Sequence, residues 1–253
     1  MTIKFDEFLD CFRDRPTVSE ADIFEYFRRQ DPELKLATLR WRLFDLRRRG
    51  KISRLARGIY SLTQLKEFQP DVSAVLKRAY RQIKRELPYA ELCIWSTAWI
   101  DSLIVHQPTS KIIIAETEKI AVSKAFSLLN GHARASFLDP TEKEIEFYVL
   151  PNRESIVVKP LVLRAPLIHL DGIVAPRLEK ILVDVFADRE LFAALQGETL
   201  HELFRNALSQ FHVDLTTLES YASRRGKRQE LREFLTTDTR LPDFTQVALK
   251  GLL

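Results

Sequence analysis

The feature that most constrains the fold is a leucine repeat that ends at a glycine and precedes two short alternating segments. Four leucines recur at spacings of three, four and three: Leu36, Leu39, Leu43 and Leu46. This spacing predicts the buried face of a helix that runs from Lys35 to Gly50, where glycine suits a left-handed helix end. Apolar and polar residues then alternate over 51–55 and 59–62 around Arg57-Gly58, which predicts a β-hairpin.

Two shorter helices are predicted before the leucine repeat. Apolar residues at helical spacing indicate an amphipathic helix over residues 4–13, after which Pro16 interrupts the pattern. Ser19 followed by Asp22 is typical of a helix N-cap, and this second helix is expected to end before Asp31-Pro32. Three short helices followed by a hairpin predict a winged helix-turn-helix over residues 1–66.

Positive charge is concentrated in the predicted third helix and hairpin. The chain has 39 Lys and Arg against 35 Asp and Glu, a net charge of +4. From Arg40 to Arg57, however, the chain has eight basic residues and one acidic residue, Asp45. A recognition helix of this kind enters the major groove of DNA, while cations on its flanks and on the wing contact phosphates. The local surplus therefore favours DNA binding.

We expect Thr38, Trp41 and Arg42 to face the bases. The complete set of candidate DNA contacts is Lys35, Thr38, Arg40, Trp41, Arg42, Arg48, Arg54 and Arg57. Asp45 is expected on the exposed side of the third helix, opposite the leucines. Two alternatives remain open: the arginines form a solvated face of a protein-interaction module, or Trp41 packs against the second domain.

The rest of the chain has the pattern of a mixed α/β domain closed by helices. A basic connecting helix is predicted over 71–87, within a linking segment 67–90, and a second domain over 91–253. Five short runs are predicted as strands: 93–95, 112–114, 136–138, 145–149 and 156–158. Helices are expected between them over 98–105 and 119–129, and again beyond Pro176. The alternation predicts a small, partly parallel sheet covered by helices.

Basic residues outside the winged helix form a candidate secondary patch. Its members are Arg81, Arg85, Arg224, Arg225 and Lys227. The first two lie on one face of the connecting helix and could extend a DNA footprint. The other three are equally explained as a charge cluster at a helix end.

No catalytic or metal site is indicated, and we expect no cofactor and no enzymatic activity. Ser96, Asp101 and His106 stand in a suggestive order, but a helix N-cap at Ser96 and a loop histidine explain them more simply. Glu116 and Glu118 after a strand are similar to the carboxylates of metal-dependent nucleases, so a nuclease with a winged-helix delivery domain is the alternative function. The histidines lack metal-ligand spacing.

The chain has no feature of an exported or membrane protein. Its first residues lack the apolar core of a signal peptide, and its apolar runs are strand-sized. Its two cysteines, Cys11 and Cys93, offer no disulfide framework. We therefore expect a cytoplasmic protein without a membrane partner.

Several stretches together resemble the AbiEi-like antitoxins of type IV toxin–antitoxin systems, in a branch known mainly as a domain of unknown function. They are 38–43, 58–60, 95–97 with 106–108, 178–184 and 221–227, in the order and spacing of the family.

The resemblance implies a winged helix that represses its own operon by binding inverted repeats in double-stranded DNA. It implies a C-terminal domain that opposes a co-encoded nucleotidyltransferase toxin, with or without stable contact. In this sequence, the resemblance implies that DNA is bound by Thr38, Arg40, Trp41 and Arg42 and by the wing residues Arg54 and Arg57.

Overall fold

The computed structural model describes residues 5–130 and 134–251, and the side chains of Phe5, Asp6 and Leu9 lie outside the described set. The predicted first helix begins at residue 4, which also lies outside it. Within the described ranges the chain is a mixed α/β protein with two hydrophobic cores, one in the N-terminal unit and a larger one in the remainder. The predicted fold class is confirmed.

The N-terminal unit contains three helices and a small antiparallel sheet. Its elements are α1 (Phe5–Phe12), β1 (Val18–Ser19), α2 (Glu20–Gln30), α3 (Leu36–Arg48), β2 (Ser53–Ala56) and β3 (Ile59–Ser61). The sheet has the order β1-β3-β2. This succession, with the β2–β3 hairpin directly after α3, is the one expected of a winged helix-turn-helix. The sequence pattern did not predict β1.

The residues predicted to begin or end helices adopt the expected contacts and conformations. The Ser19 hydroxyl accepts a hydrogen bond from the Asp22 backbone N–H at 3.0 Å, and the Asp22 carboxylate accepts from the Ser19 N–H in return. Gly50 has a φ of +65°, the left-handed conformation predicted for the residue that ends the third helix.

The small core of the N-terminal unit joins its three helices to the sheet. Phe8 of α1 stacks on Phe27 of α2 at 5.7 Å, and Leu39 and Leu43 of α3 close the same core. Leu36, predicted as part of the buried stripe, is 44% exposed. It occupies the first position of α3, one turn before the first leucine that reaches the core.

The larger unit is built on a four-stranded sheet. Its first elements are α4 (Ala74–Glu86), β4 (Leu92–Ser96), β5 (Lys111–Thr117), α5 (Val122–Leu129), β6 (Ala135–Leu138) and β7 (Glu154–Pro160). The strand order is β4-β5-β7-β6, with β5, β7 and β6 parallel and β4 antiparallel to β5. The predicted partly parallel sheet is confirmed. A 3-10 helix at Thr97–Leu103 stands where a helix over 98–105 was predicted.

The strand predicted over 145–149 is wrong. Helix α6 (Glu142–Glu144) begins just before this segment, with a capping box between Thr141 and Glu144. The chain then continues as a π-helical turn over Ile145–Val149. Ile145 and Val149 are buried while the residues between them are exposed. That spacing of four is helical, but the β-forming residue types obscured it.

A hairpin that the sequence analysis did not predict follows β7. Strands β8 (Leu167–Leu170) and β9 (Ile173–Pro176) pair antiparallel through Asp171 and Gly172, whose φ angles of +47° and +84° form a tight turn. An Asp-Gly pair flanked by apolar residues is a strong hairpin signal, so this element was predictable.

Five helices complete the chain: α7 (Leu178–Ala187), α8 (Glu198–Gln210), α9 (Leu215–Arg224), α10 (Arg228–Thr237) and α11 (Asp243–Lys250). Every residue of α7 from Leu178 to Phe186 is buried, so this helix forms the centre of the larger unit. None of the helices in the described ranges is long and apolar enough to cross a membrane.

The hairpin between β2 and β3 connects the two units. Leu55 and Ala56 belong to the larger core, although Tyr60 on the neighbouring strand belongs to the small one. At its tip, the Arg57 N–H donates to the Thr216 hydroxyl on α9 at 3.0 Å. The wing is therefore packed between the units, and the hydrophobic cores do not divide at residue 66.

Candidate nucleic-acid interface

Helix α3 presents a broad exposed face opposite its buried leucines. Thr38 is exposed, and Trp41 and Phe44 are 65% and 60% exposed. Trp41 therefore does not pack against the second unit, which was one of the two readings of this residue. Phe44 was not among the predicted DNA contacts, although its position three residues after Trp41 places it on the same side of the helix.

Cations surround this aromatic face. Lys35 is exposed at the start of α3, and Arg40 is exposed while its Nε lies 3.5 Å from a Glu20 carboxylate oxygen. Arg47 is exposed at the other end and makes no ion pair with the described carboxylates. Arg48 is exposed as well. Their charged groups remain in solvent, where phosphates can reach them.

Asp45 was predicted on the exposed side, and this prediction is wrong. Its residue surface is 9% exposed, its carboxylate accepts a hydrogen bond from Arg48 Nη2 at 3.4 Å, and it lies 2.8 Å from Arg49 Nε. The two arginine side chains remain 71% and 64% exposed. The one acid in the basic segment is thus buried and paired with two cations that stay in solvent.

Arg42 has a different environment from its neighbours. Its side chain is only 15% exposed, its guanidinium lies 5.3 Å from the centre of the Phe27 ring, and Nη2 lies 3.5 Å from Asp31. These contacts attach α3 to the end of α2. The structure places Arg42 within the N-terminal unit rather than on the face that Trp41 presents.

The wing arginines lie at the junction of the two units. Arg54 Nε donates to the Ala56 carbonyl at 3.2 Å and lies 3.8 Å from the Asp214 carboxylate at the start of α9. The Arg57 side chain is exposed, but its backbone is held by Thr216. The contacts of the wing with α9 leave these arginines less freedom than the sequence pattern suggested.

The candidate secondary patch divides into two sets with different surroundings. Arg81 and Arg85 are exposed on α4, and Arg85 contacts the adjacent Glu86. Arg224 lies over the Tyr221 ring, Arg225 pairs with Asp184 and Asp188, and Lys227 pairs with Glu230. The second set therefore has the contacts of a charge cluster at a helix end.

Three basic and three acidic side chains form an ion cluster between the sheet, α7 and α9, with its centre buried at Glu116, Lys180 and Asp184 and its margin half-buried at Lys159, Asp188 and Arg225. Lys180 Nζ lies 2.5 Å from both Glu116 and Asp184, and the Tyr221 hydroxyl donates to Asp184 at 2.9 Å. Burial raises the pKa of Glu116. Burial opposes the charge of Lys180, but Asp184 and Glu116 outweigh it and raise the pKa of Lys180 well above its usual range.

The ion cluster explains why a carboxylate is buried at position 116 without a catalytic role. Glu116 is 2% exposed and bonded to Lys180, whereas Glu118 lies on the surface and accepts from the Glu91 N–H at 3.1 Å. Among the described residues, no group of three or more His, Cys, Asp or Glu could hold a metal ion. The observation that motivated the nuclease alternative is thus explained by an internal ion pair.

The suggestive Ser96, Asp101 and His106 series is likewise accounted for by local contacts. The Ser96 hydroxyl accepts from the Ala98 N–H as a helix cap, as the sequence analysis expected. Asp101 pairs with Lys111 at 2.7 Å, and His106 is an exposed residue after the 3-10 helix. Local contacts thus engage Ser96 and Asp101, and no contact joins His106 to either of them among the described residues.

Comparison with protein families matches residues 38–240, or 203 of the 253 residues, to DUF6577, a family of unknown function. The chain belongs to the DUF6577 family. A search of curated proteins found no match. The DUF6577 match begins within α3, at Thr38, and includes the wing and most of the larger unit. The description of DUF6577 assigns no activity, so the resemblance to AbiEi-like antitoxins stays a prediction.

In this DUF6577 protein, replacing Arg42 should reduce the stability of the fold. We expect Arg42→Ala to lower the free energy of unfolding by about 1–2 kcal/mol, because it removes the contact with Phe27 and leaves Asp31 without its partner. Urea denaturation measures this change. Arg40→Ala, at an exposed position, is the control and should change stability by less than about 0.5 kcal/mol. Equal stability of the two variants would contradict this role for Arg42.

Proposed function

We propose that the protein is a DNA-binding transcriptional repressor that also acts as an antitoxin. The observation that carries the DNA-binding half is the exposed face of α3, on which Thr38 and Trp41 are surrounded by solvent-exposed cations. In this proposal α3 enters the major groove, and Lys35, Arg40, Arg47 and Arg48 contact phosphates. Arg42 positions the helix instead of reading bases.

The antitoxin half rests on the resemblance stated above. In this proposal the larger unit opposes a nucleotidyltransferase-like toxin encoded beside the chain's own gene, and the winged helix represses their shared operon. The docked wing supports a coupling between the two halves, because α9 of the larger unit contacts the hairpin that adjoins α3.

DNA binding is tested by fluorescence anisotropy with a labelled duplex from the region upstream of the gene. We expect specific binding whose log affinity falls linearly with log salt concentration, by about 0.9 for each phosphate contacted. An unrelated duplex of the same length is the control. No binding, or binding that is independent of salt, would remove the DNA-binding half of the proposal.

The antitoxin half requires a separate measurement in cells. The neighbouring gene, expressed alone, should arrest growth, and co-expression of this chain should restore it. A variant with Lys35→Glu and Arg40→Glu should still restore growth when both genes are expressed from unrelated promoters, because both side chains are exposed and neither belongs to the larger core. Failure of the wild-type chain to restore growth would overturn this half and leave DNA binding unaffected.

A further inference from the structure

A cleft of about 440 Å³ lies beside the C-terminal half of α3, at the junction of the two units. Phe44, Arg47 and Arg48 of α3 and Arg54 of β2 line it. Glu67, in the segment after the wing, and His212, before α9, also line it. A volume of this size falls within the range of pockets that hold small molecules. Any ligand in the cleft would touch both units.

The charge of the cleft favours an anion. Three arginines line it, and Glu67 is the one acid among the described residues that do so. Arg47 is exposed and makes no ion pair with the described carboxylates. Arg48 is 71% exposed although it lies near Asp45, and Arg54 is engaged through its Nε. Among the side chains that line the cleft, three arginines stand against one acid, and Arg47 has no carboxylate partner among the described residues, which favours a phosphate group.

The cleft also offers an aromatic surface. The Phe44 side chain is 60% exposed, so one side of its ring is open to a planar ligand. The His212 ring, which also lines the cleft, is held by the Arg54 carbonyl at 2.7 Å from Nε2 and by Glu67 at 3.3 Å from Nδ1. An exposed ring among arginines is the combination that binds a nucleic-acid base together with its phosphate.

We propose that this cleft binds a nucleotide, with the base against Phe44 and the phosphate between Arg47 and Arg48. The nucleotide is either free or part of a single strand, since a base inside a duplex is stacked and cannot enter without unpairing. This subsite shares Arg47 and Arg48 with the phosphate contacts proposed for a duplex, but it uses Phe44 instead of Thr38 and Trp41. A ligand here would contact the recognition helix and the larger unit at once.

Isothermal titration calorimetry on the full chain tests the proposal with two probes, ATP and a ten-nucleotide single-stranded DNA. Phe44→Ala should weaken binding about tenfold through loss of one stacking surface, and Arg47→Ala should weaken it to a similar extent. Glu67→Gln should strengthen binding severalfold, because it removes the acid that repels phosphate. A purely structural role of the cleft would not produce opposite effects from Glu67→Gln and Arg47→Ala.

The control combines Phe147→Ala with Arg153→Ala, an exposed ring and an exposed cation that do not line the cleft. It should leave the affinity for both probes unchanged. Binding of ATP with the predicted pattern identifies a free nucleotide as the ligand, and the pattern with the single strand alone identifies a strand. Absence of binding by both probes at millimolar concentration, or binding insensitive to the three cleft substitutions, overturns the proposal. Duplex binding by the same wild-type preparation tests the proposed function independently.

Discussion

Replacing Lys180 by methionine should lower the free energy of unfolding by about 3–5 kcal/mol, as expected when one partner of a buried ion pair is removed. Lys180 is fully buried and lies 2.5 Å from the carboxylates of both Glu116 and Asp184. Methionine fills much of the same space but leaves Glu116 without its ion-pair partner and Asp184 with Arg225 as its one ion-pair partner among the described residues. Urea denaturation of the variant and the wild type measures the difference.

The stability loss caused by Lys180→Met should become smaller as the pH falls. The pKa of Glu116 is already raised by burial in the wild type, and removal of Lys180 takes away the charge that holds it down. A carboxyl whose pKa is raised on folding favours the folded state below its unfolded pKa, and that contribution is lost as the pH rises through the folded value. The deficit of Lys180→Met should therefore shrink as the pH falls toward 4.5, the ordinary value for glutamate.

Two further variants identify the cause of the loss. Adding Glu116→Gln to Lys180→Met should recover part of the stability, because the buried carboxylate that lost its ion-pair partner is then absent. Lys77→Met is the control, since Lys77 pairs with the exposed Asp171 at the surface and should cost less than about 1 kcal/mol. If Lys180→Met costs no more than Lys77→Met, the cluster does not stabilise the fold as we infer.

Reversing two charges of α3, with Lys35→Glu and Arg40→Glu together, should weaken DNA binding more than about 100-fold at roughly 0.1 M salt. Both side chains are exposed at the start of the helix, so the change places two carboxylates where the proposed interface has two cations. The slope of log affinity against log salt should become less steep by about two. Fluorescence anisotropy across a salt series gives both quantities.

A variant with the same change in net charge separates local contact from general repulsion. Lys119→Glu with Arg153→Glu alters two exposed cations of the larger unit and should reduce affinity only slightly. Circular dichroism and thermal denaturation should show that both double variants are folded. If the two variants weaken binding equally, α3 does not contribute the phosphate contacts and the proposed interface is wrong.

The order of elements was predictable because local signals were strong and agreed with one another. Ser19 with Asp22, the leucine spacing of α3 and Gly50 each specify a helix boundary or face over a few residues. Prediction failed where residue type and spacing disagreed. In 145–149, β-forming residues occupy a helical turn because the buried positions, Ile145 and Val149, are four apart.

The candidate interface was predictable only in part. The exposed positions of Thr38 and Trp41 follow from their angle to the leucine stripe, whereas Arg40 lies at the edge of that stripe. The enclosure of Arg42 does not, because it depends on Phe27 and Asp31 of another helix. Arg54 likewise meets Asp214 from a distant part of the chain, a contact that neither spacing nor charge could indicate.

Local signals in the sequence specify the mixed α/β class, the succession of three helices and a hairpin at the N-terminus, and the concentration of positive charge there. These properties depend on residues close together in the chain, where periodicity and capping act directly. Three further features emerge from the packed structure alone: the set of arginines in that segment that remain in solvent, the packing of the wing against α9, and the ion pair between Glu116 and Lys180. Each of these depends on groups far apart in sequence, whose pairing is set by how the two cores pack.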